Sequence, residues 1–93
     1  MVNPRLLKPI LAPTVRRALA ARFDRPAIRR ILDATFVNYE AQRDGLPREA
    51  SAGGRMMVHF AGLTIGLYRA LLVQGVTEAE ARELTAAVTW RAF

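Results

Sequence analysis

MMVHFAGLTIGLYRALLV, Met56 to Val73, is the longest apolar run of the chain. It holds Gly62 and Gly66, no proline, and only His59 and Arg69 as side chains able to carry a full charge. As a helix rising about 1.5 Å per residue it makes roughly five turns, enough to cross a small domain. Met56, Phe60, Leu63, Leu67 and Leu71 form one stripe at helical spacing. Met57, Ile65, Tyr68 and Leu72 widen it beyond what a surface helix needs, so burial on more than one side is expected. Gly62, Gly66 and Ala70 follow four apart. An interior glycine costs about 1 kcal/mol relative to alanine, so the spacing predicts either a second helix pressed close or room for a ligand. The run reaches the lower length limit for a membrane span, but Arg69, His59 and the glycines argue against one. It reads as the central strut of a bundle whose fourth wall is expected to come from another chain.

On its C-terminal side, Gly75 stops the helix and Thr77-Glu78-Ala79-Glu80 restarts one as a capping box, Thr77 at N-cap and Glu80 at N3. This last helix is expected over 78–92, with Trp90 and Phe93 crowding its end as an apolar contact. On the N-terminal side, GLPREASAGGR (45–55) is turn chemistry and the expected loop. A helix over 25–44 precedes it, with Ile28, Leu32, Thr35/Phe36 and Tyr39 on the buried stripe and Ile31 widening it. Asp24 is its N-cap and Pro26 sits in its first turn, where a missing N–H costs nothing. A short helix over 14–23 opens at Thr14, with Val15, Leu19 and Phe23 on one face. Residues 1–13, MVNPRLLKPILAP, hold three prolines and read as an extended, partly apolar arm. Strand periodicity and internal repeats are absent from the sequence. The expectation is an all-α, four-helix bundle-like domain over 14–93 preceded by the arm.

At 93 residues the chain is one domain, and its 52% hydrophobic content is high for so small a body, which favours self-association or a partner. The net charge of +6 is uneven: residues 1–30 carry eight basic side chains against Asp24 alone, while the rest is near neutral. Thirteen of the fourteen basic residues are arginine, suited to bidentate contacts with carboxylate or phosphate. Arg16, Arg17, Arg22, Arg25, Arg29 and Arg30 could form a phosphate-contacting ridge, and the junction at 23–26 loosely suggests a helix-turn-helix. Base-reading Asn, Gln, Ser or Lys are absent from the start of the second helix, which weakens a nucleic-acid reading. Without cysteine there is no disulfide, thiolate nucleophile or cysteine-held metal. No signal-peptide core is apparent, and the cytoplasm is the default compartment.

His59 is the only histidine. One turn away it has no carboxylate or second histidine, so a metal site and a bound cofactor are not expected. Arg69 must snorkel, pair with Glu40 or Glu80, or bind an anion. His59 and Arg69 are the candidate catalytic pair, set against a plain structural role for both.

The segment Leu63 to Leu84, LTIGLYRALLVQGVTEAEAREL, resembles the L-2-amino-thiazoline-4-carboxylic acid hydrolase family. The matching elements are Tyr68-Arg69-Ala70-Leu71, then Gly75, then Thr77-Glu78-Ala79-Glu80. Arg16 to Glu40 is similar in style to the family's opening helices. The resemblance implies an enzyme that opens a thiazoline ring, but the family's cysteine-containing C-terminal half has no counterpart here. It therefore implies the helical N-terminal half alone. The function expected is a non-catalytic accessory or small subunit that stabilises a larger enzyme or a homo-oligomer. Its contacts would be Gly62, Gly66, Ala70, Trp90 and Phe93. The alternatives are a thiazoline-carboxylate hydrolase-like enzyme working near His59 and Arg69, and a nucleic-acid binder using Arg16, Arg17, Arg29 and Arg30.

Overall fold

A computed structural model describes residues 4–46 and 51–92, apart from the side chains of 4–10, 52, 56 and 90–92. Phe93, and with it one of the expected contacts, lies outside the described residues, as does the side chain of Trp90. Four helices follow in order: α1 Pro4–Leu19, α2 Arg25–Gln42, α3 Ala52–Val73 and α4 Glu78–Ala92, with a 3-10 turn at Arg43–Gly45. The all-α, bundle-like expectation holds, and no strand occurs among the described residues.

The caps explain the boundaries. Asp24 is extended (φ −77°, ψ 171°) and its Oδ1 accepts the Ala27 N–H at 2.9 Å, so α2 begins at Arg25 with Pro26 in its first turn. Ser51 caps α3 by accepting the Gly54 N–H at 3.0 Å. The expected loop over 45–55 is therefore too long at its far end: Ala52, Gly53 and Gly54 are already helical. Two adjacent glycines suggested a turn, but a serine N-cap three residues before Gly54 outweighs their low propensity. Gly75, at φ +90°, ends the α3 turn in a conformation L side chains rarely adopt. Thr77 Oγ1 accepts the Glu80 N–H at 3.2 Å to start α4. The reciprocal arm of the capping box is diverted, because the Glu80 carboxylate is gripped by Arg22.

The extended arm over 1–13 is corrected from Pro4 onward. The chain there is helical, and α1 runs through Pro9 and Pro13 to Leu19 rather than starting at Thr14 and reaching 23. Pro4 takes the first helical position, where no N–H is needed. Pro9 and Pro13 each forfeit one intrahelical bond, but they stand four apart, so both losses fall on one side. The compensating force is burial: Leu11, Val15 and Leu19 are 8%, 4% and 0% exposed at four-residue spacing along α1.

α2 and α3 are antiparallel neighbours, and α1 bridges α2 and α4. The main core joins Val15 and Leu19 of α1, Ile28, Ile31 and Leu32 of α2, Leu67 and Leu71 of α3, and Val88 of α4. A smaller cluster of Leu11, Tyr39 and Leu63 lies further along. Arg22 links the α1–α2 turn to the start of α4 through a two-point bond with Glu80, Nη2 to Oε2 being 2.7 Å.

Candidate functional site

Gly62 and Gly66 do what the four-residue spacing predicted, but they do it inside the chain. A Cβ on Gly66 would stand 2.8 Å from the Thr35 carbonyl oxygen of α2, and one on Gly62 would meet Leu46 and Tyr39 side chains at 3.3 and 3.4 Å. Ala70 is 1% exposed. These three residues are filled by the chain's own helices and offer no contact surface to a partner, which corrects that part of the expectation. The backbone approach at Gly66 is why glycine is needed there.

His59 is half-buried on α3. Its Nδ1 is hydrogen-bonded to the Tyr39 hydroxyl of α2, with the rings edge-to-face at 5.7 Å between centroids. Tyr39 is 1% exposed, and burial pushes its phenol pKa above the ordinary value; Arg43 lowers it and Glu40 raises it by smaller amounts. The hydroxyl therefore stays protonated at neutral pH and donates whenever Nδ1 is bare. Arg69 is exposed on the same helix. Ten residues separate the two, about 15 Å of rise and nearly three turns, so His59 and Arg69 do not share a pocket. Both acids offered as Arg69 partners are engaged elsewhere, Glu80 with Arg22 and Glu40 with Arg43. No group of three His, Cys, Asp or Glu suited to a metal occurs among the described residues. A shallow, partly open gap of 30 Å³ between the helices, lined by Val15, Leu32, Leu63 and Val88 with half-buried Phe60 and Thr64 at its edge, is too small for a ligand.

Two surface features remain. The first is the outer face of α3. Val58, Ala61, Ile65, Tyr68 and Leu72 recur at spacings of three and four on the side away from α2, all exposed or half-exposed. Met57 and Val73 flank them at 65% and 81% exposure, and Ile65 itself is 44% exposed. The breadth of apolar coverage read in the sequence thus divides into two seams, an inner one met by α2 and α4 and an outer one left largely open at Val58, Ala61 and Ile65, with Tyr68 and Leu72 half-exposed while also packing in part against the main core. By length and composition Gly53–Val73 could cross a membrane, and 35% of that window is buried within the chain.

The second is a crease of 680 Å³ between α1 and α2. Arg16 and Arg17 stand on one side, Arg25 and Arg29 on the other, with Ile28 and Leu32 in the floor. Of the arginine ridge expected from sequence, these four are gathered. Arg22 is drawn off to Glu80, and Arg30 is exposed outside the crease lining. Sequence could list the arginines but could not show that the α1–α2 hairpin closes four of them round one apolar floor.

No family model, curated protein or solved structure matches the chain. The hydrolase-family resemblance accordingly rests on the sequence elements already quoted, in Leu63–Leu84 and Arg16–Glu40.

Proposed function

We propose that this chain is a non-catalytic helical association module that pairs with a second copy of itself through the outer face of α3. The observation behind this reading is the outer seam, Val58, Ala61, Ile65, Tyr68 and Leu72, at the alternating three–four spacing of a helix that packs against another helix. Placed antiparallel to itself about a two-fold axis midway between Ile65 and Tyr68, the seam meets its own complement. Ala61 lies opposite the partner's Leu72, and Ile65 opposite the partner's Tyr68, so apolar side chains face one another in both layers. Arg69 is the one ionised side chain along this face and sits at its edge. Lipid is the competing cover. It is disfavoured because α2 lies along the inner side of α3 with Arg29, Arg30, Asp33 and Glu40 exposed, charges that a span would carry into hydrocarbon.

Native mass spectrometry and light scattering of the purified chain test this. A dimer is expected for the natural sequence and a monomer of unchanged helicity for Ile65→Glu. A natural chain that remains monomeric at high concentration overturns self-pairing. If the chain purified from its source instead carries a larger protein, and Ile65→Glu releases it, the accessory-subunit form of the reading replaces the homodimer. The enzymatic reading centred on His59 and Arg69 gains no geometric support, because the two residues are held apart on one helix.

A further inference from the structure

The crease between α1 and α2 has no part in that pairing, and it concentrates charge in a way the fold does not need. Arg16, Arg17, Arg25 and Arg29 surround it, all exposed, above the buried side chains of Ile28 and Leu32. Arg16 and Arg17 fall in the last turn of α1, where positive charge complements the helix dipole. Arg25 and Arg29 do not have that excuse. They occupy the first two turns of α2, the positive end of its dipole, where the Asp24 N-cap, already accepting the Ala27 N–H, is the one carboxylate and no acidic residue lies in the first turn itself. Like charges gathered at the wrong helix end are unfavourable until an anion joins them. Arginine forks favour oxyanions that accept two hydrogen bonds at once, phosphate above all.

The floor adds a second requirement. Ile28 and Leu32 are each 5% exposed, so the apolar surface the crease presents is chiefly that of Ala12, Ala20 and the arginine stems above them; a lone inorganic anion gains nothing from it, whereas a ligand with an apolar body does. Asp33 lines the far end of the crease, away from the α1–α2 turn. The volume falls within the roughly 300–1,000 Å³ of small-molecule sites. From these features we infer that the crease binds a phosphate ester carried on an apolar body, its head among the four arginines and its tail over Ala12 and the arginine stems toward Leu32's end of the groove.

Calorimetry and amide NMR on the full chain, with dodecyl phosphate, inorganic phosphate and dodecyl maltoside as probes, test the inference. Expected is one dodecyl phosphate per chain, bound at least about tenfold more tightly than either other probe, with shifts confined to α1 and α2. The Arg25→Gln, Arg29→Gln double variant should lose about tenfold in affinity while melting no lower than the natural chain, since it removes repulsion. Arg82→Gln on α4 serves as the control and should bind normally. Equal binding of inorganic phosphate or of the uncharged detergent overturns the proposal, as does an equal loss in the Arg82 variant. So does a short RNA that binds more tightly than dodecyl phosphate through the same arginines. Phosphatidylglycerol vesicles set beside phosphatidylcholine vesicles separate the sources: binding to the anionic vesicles points to a bilayer lipid, and binding to dodecyl phosphate alone to a free ligand.

Discussion

Gly66 and Gly62 look alike in sequence and differ in what surrounds them. At Gly66 a methyl group would press on the Thr35 carbonyl, backbone that cannot move without shifting α2. Gly66→Ala should therefore destabilise by about 2 kcal/mol despite the better helix propensity of alanine. At Gly62 the nearest atoms are the methyl tips of Leu46, which can move, and the Tyr39 ring edge at an ordinary 3.4 Å, so Gly62→Ala should fall within about 1 kcal/mol of neutral. Urea denaturation of both variants checks the contrast. Tyr39 gives a second residue-scale expectation. Its folded pKa is raised by burial, so the folded state holds the phenolic proton more tightly than the unfolded chain does. That contribution to stability is complete below the unfolded value, about pH 10, and is lost as pH rises from there through the folded pKa. Tyr39→Phe should melt lower at pH 7 by about 1 kcal/mol for the lost bond to His59 and show a shallower alkaline decline.

At the scale of the element, α1 is the most instructive helix. Local rules stop it at every proline, and the burial of Leu11, Val15 and Leu19 carries it through two of them. Pro13 is exposed, so its ring packs against little and mainly removes the hydrogen bond to Pro9. Pro13→Ala should raise stability by about 1–2 kcal/mol, measured by thermal melting. An extended segment at this position would show no gain. The other three helices were readable because their signals are local. Asp24, Thr77 and Gly75 act within one turn of themselves, and the stripes of α2 and α3 repeat often enough to fix their phase. The start of α3 was missed because Gly53-Gly54 and Ser51 make opposing local arguments, and only the cap geometry decides between them.

For the whole molecule, the stripes identified what is buried but not against what. The sequence pattern marked Gly62, Gly66 and Ala70 as a close-contact line without telling an internal helix from a second chain. Likewise it listed six arginines without the hairpin that draws four of them round a groove. His59 and Arg69 stood out as the two polar side chains in an apolar run, and one partner each was all the sequence could be asked for. Tyr39 as the partner of His59 depends on the antiparallel register of α2 and α3, which no local signal encodes. The link between Arg22 and Glu80 has a further consequence, for the order in which the protein is made. It joins the α1–α2 turn to the start of α4, and α1 shares its core with Val88. During synthesis the Leu11–Val15–Leu19 stripe can close on α2 and α3 first, but its α4 side stays open until the last of the four helices has left the ribosome, a matter of seconds at ordinary elongation rates. The arginine-rich flank of α1 keeps nascent copies repelling one another during that interval, so the charge that equips the crease also guards an unfinished chain.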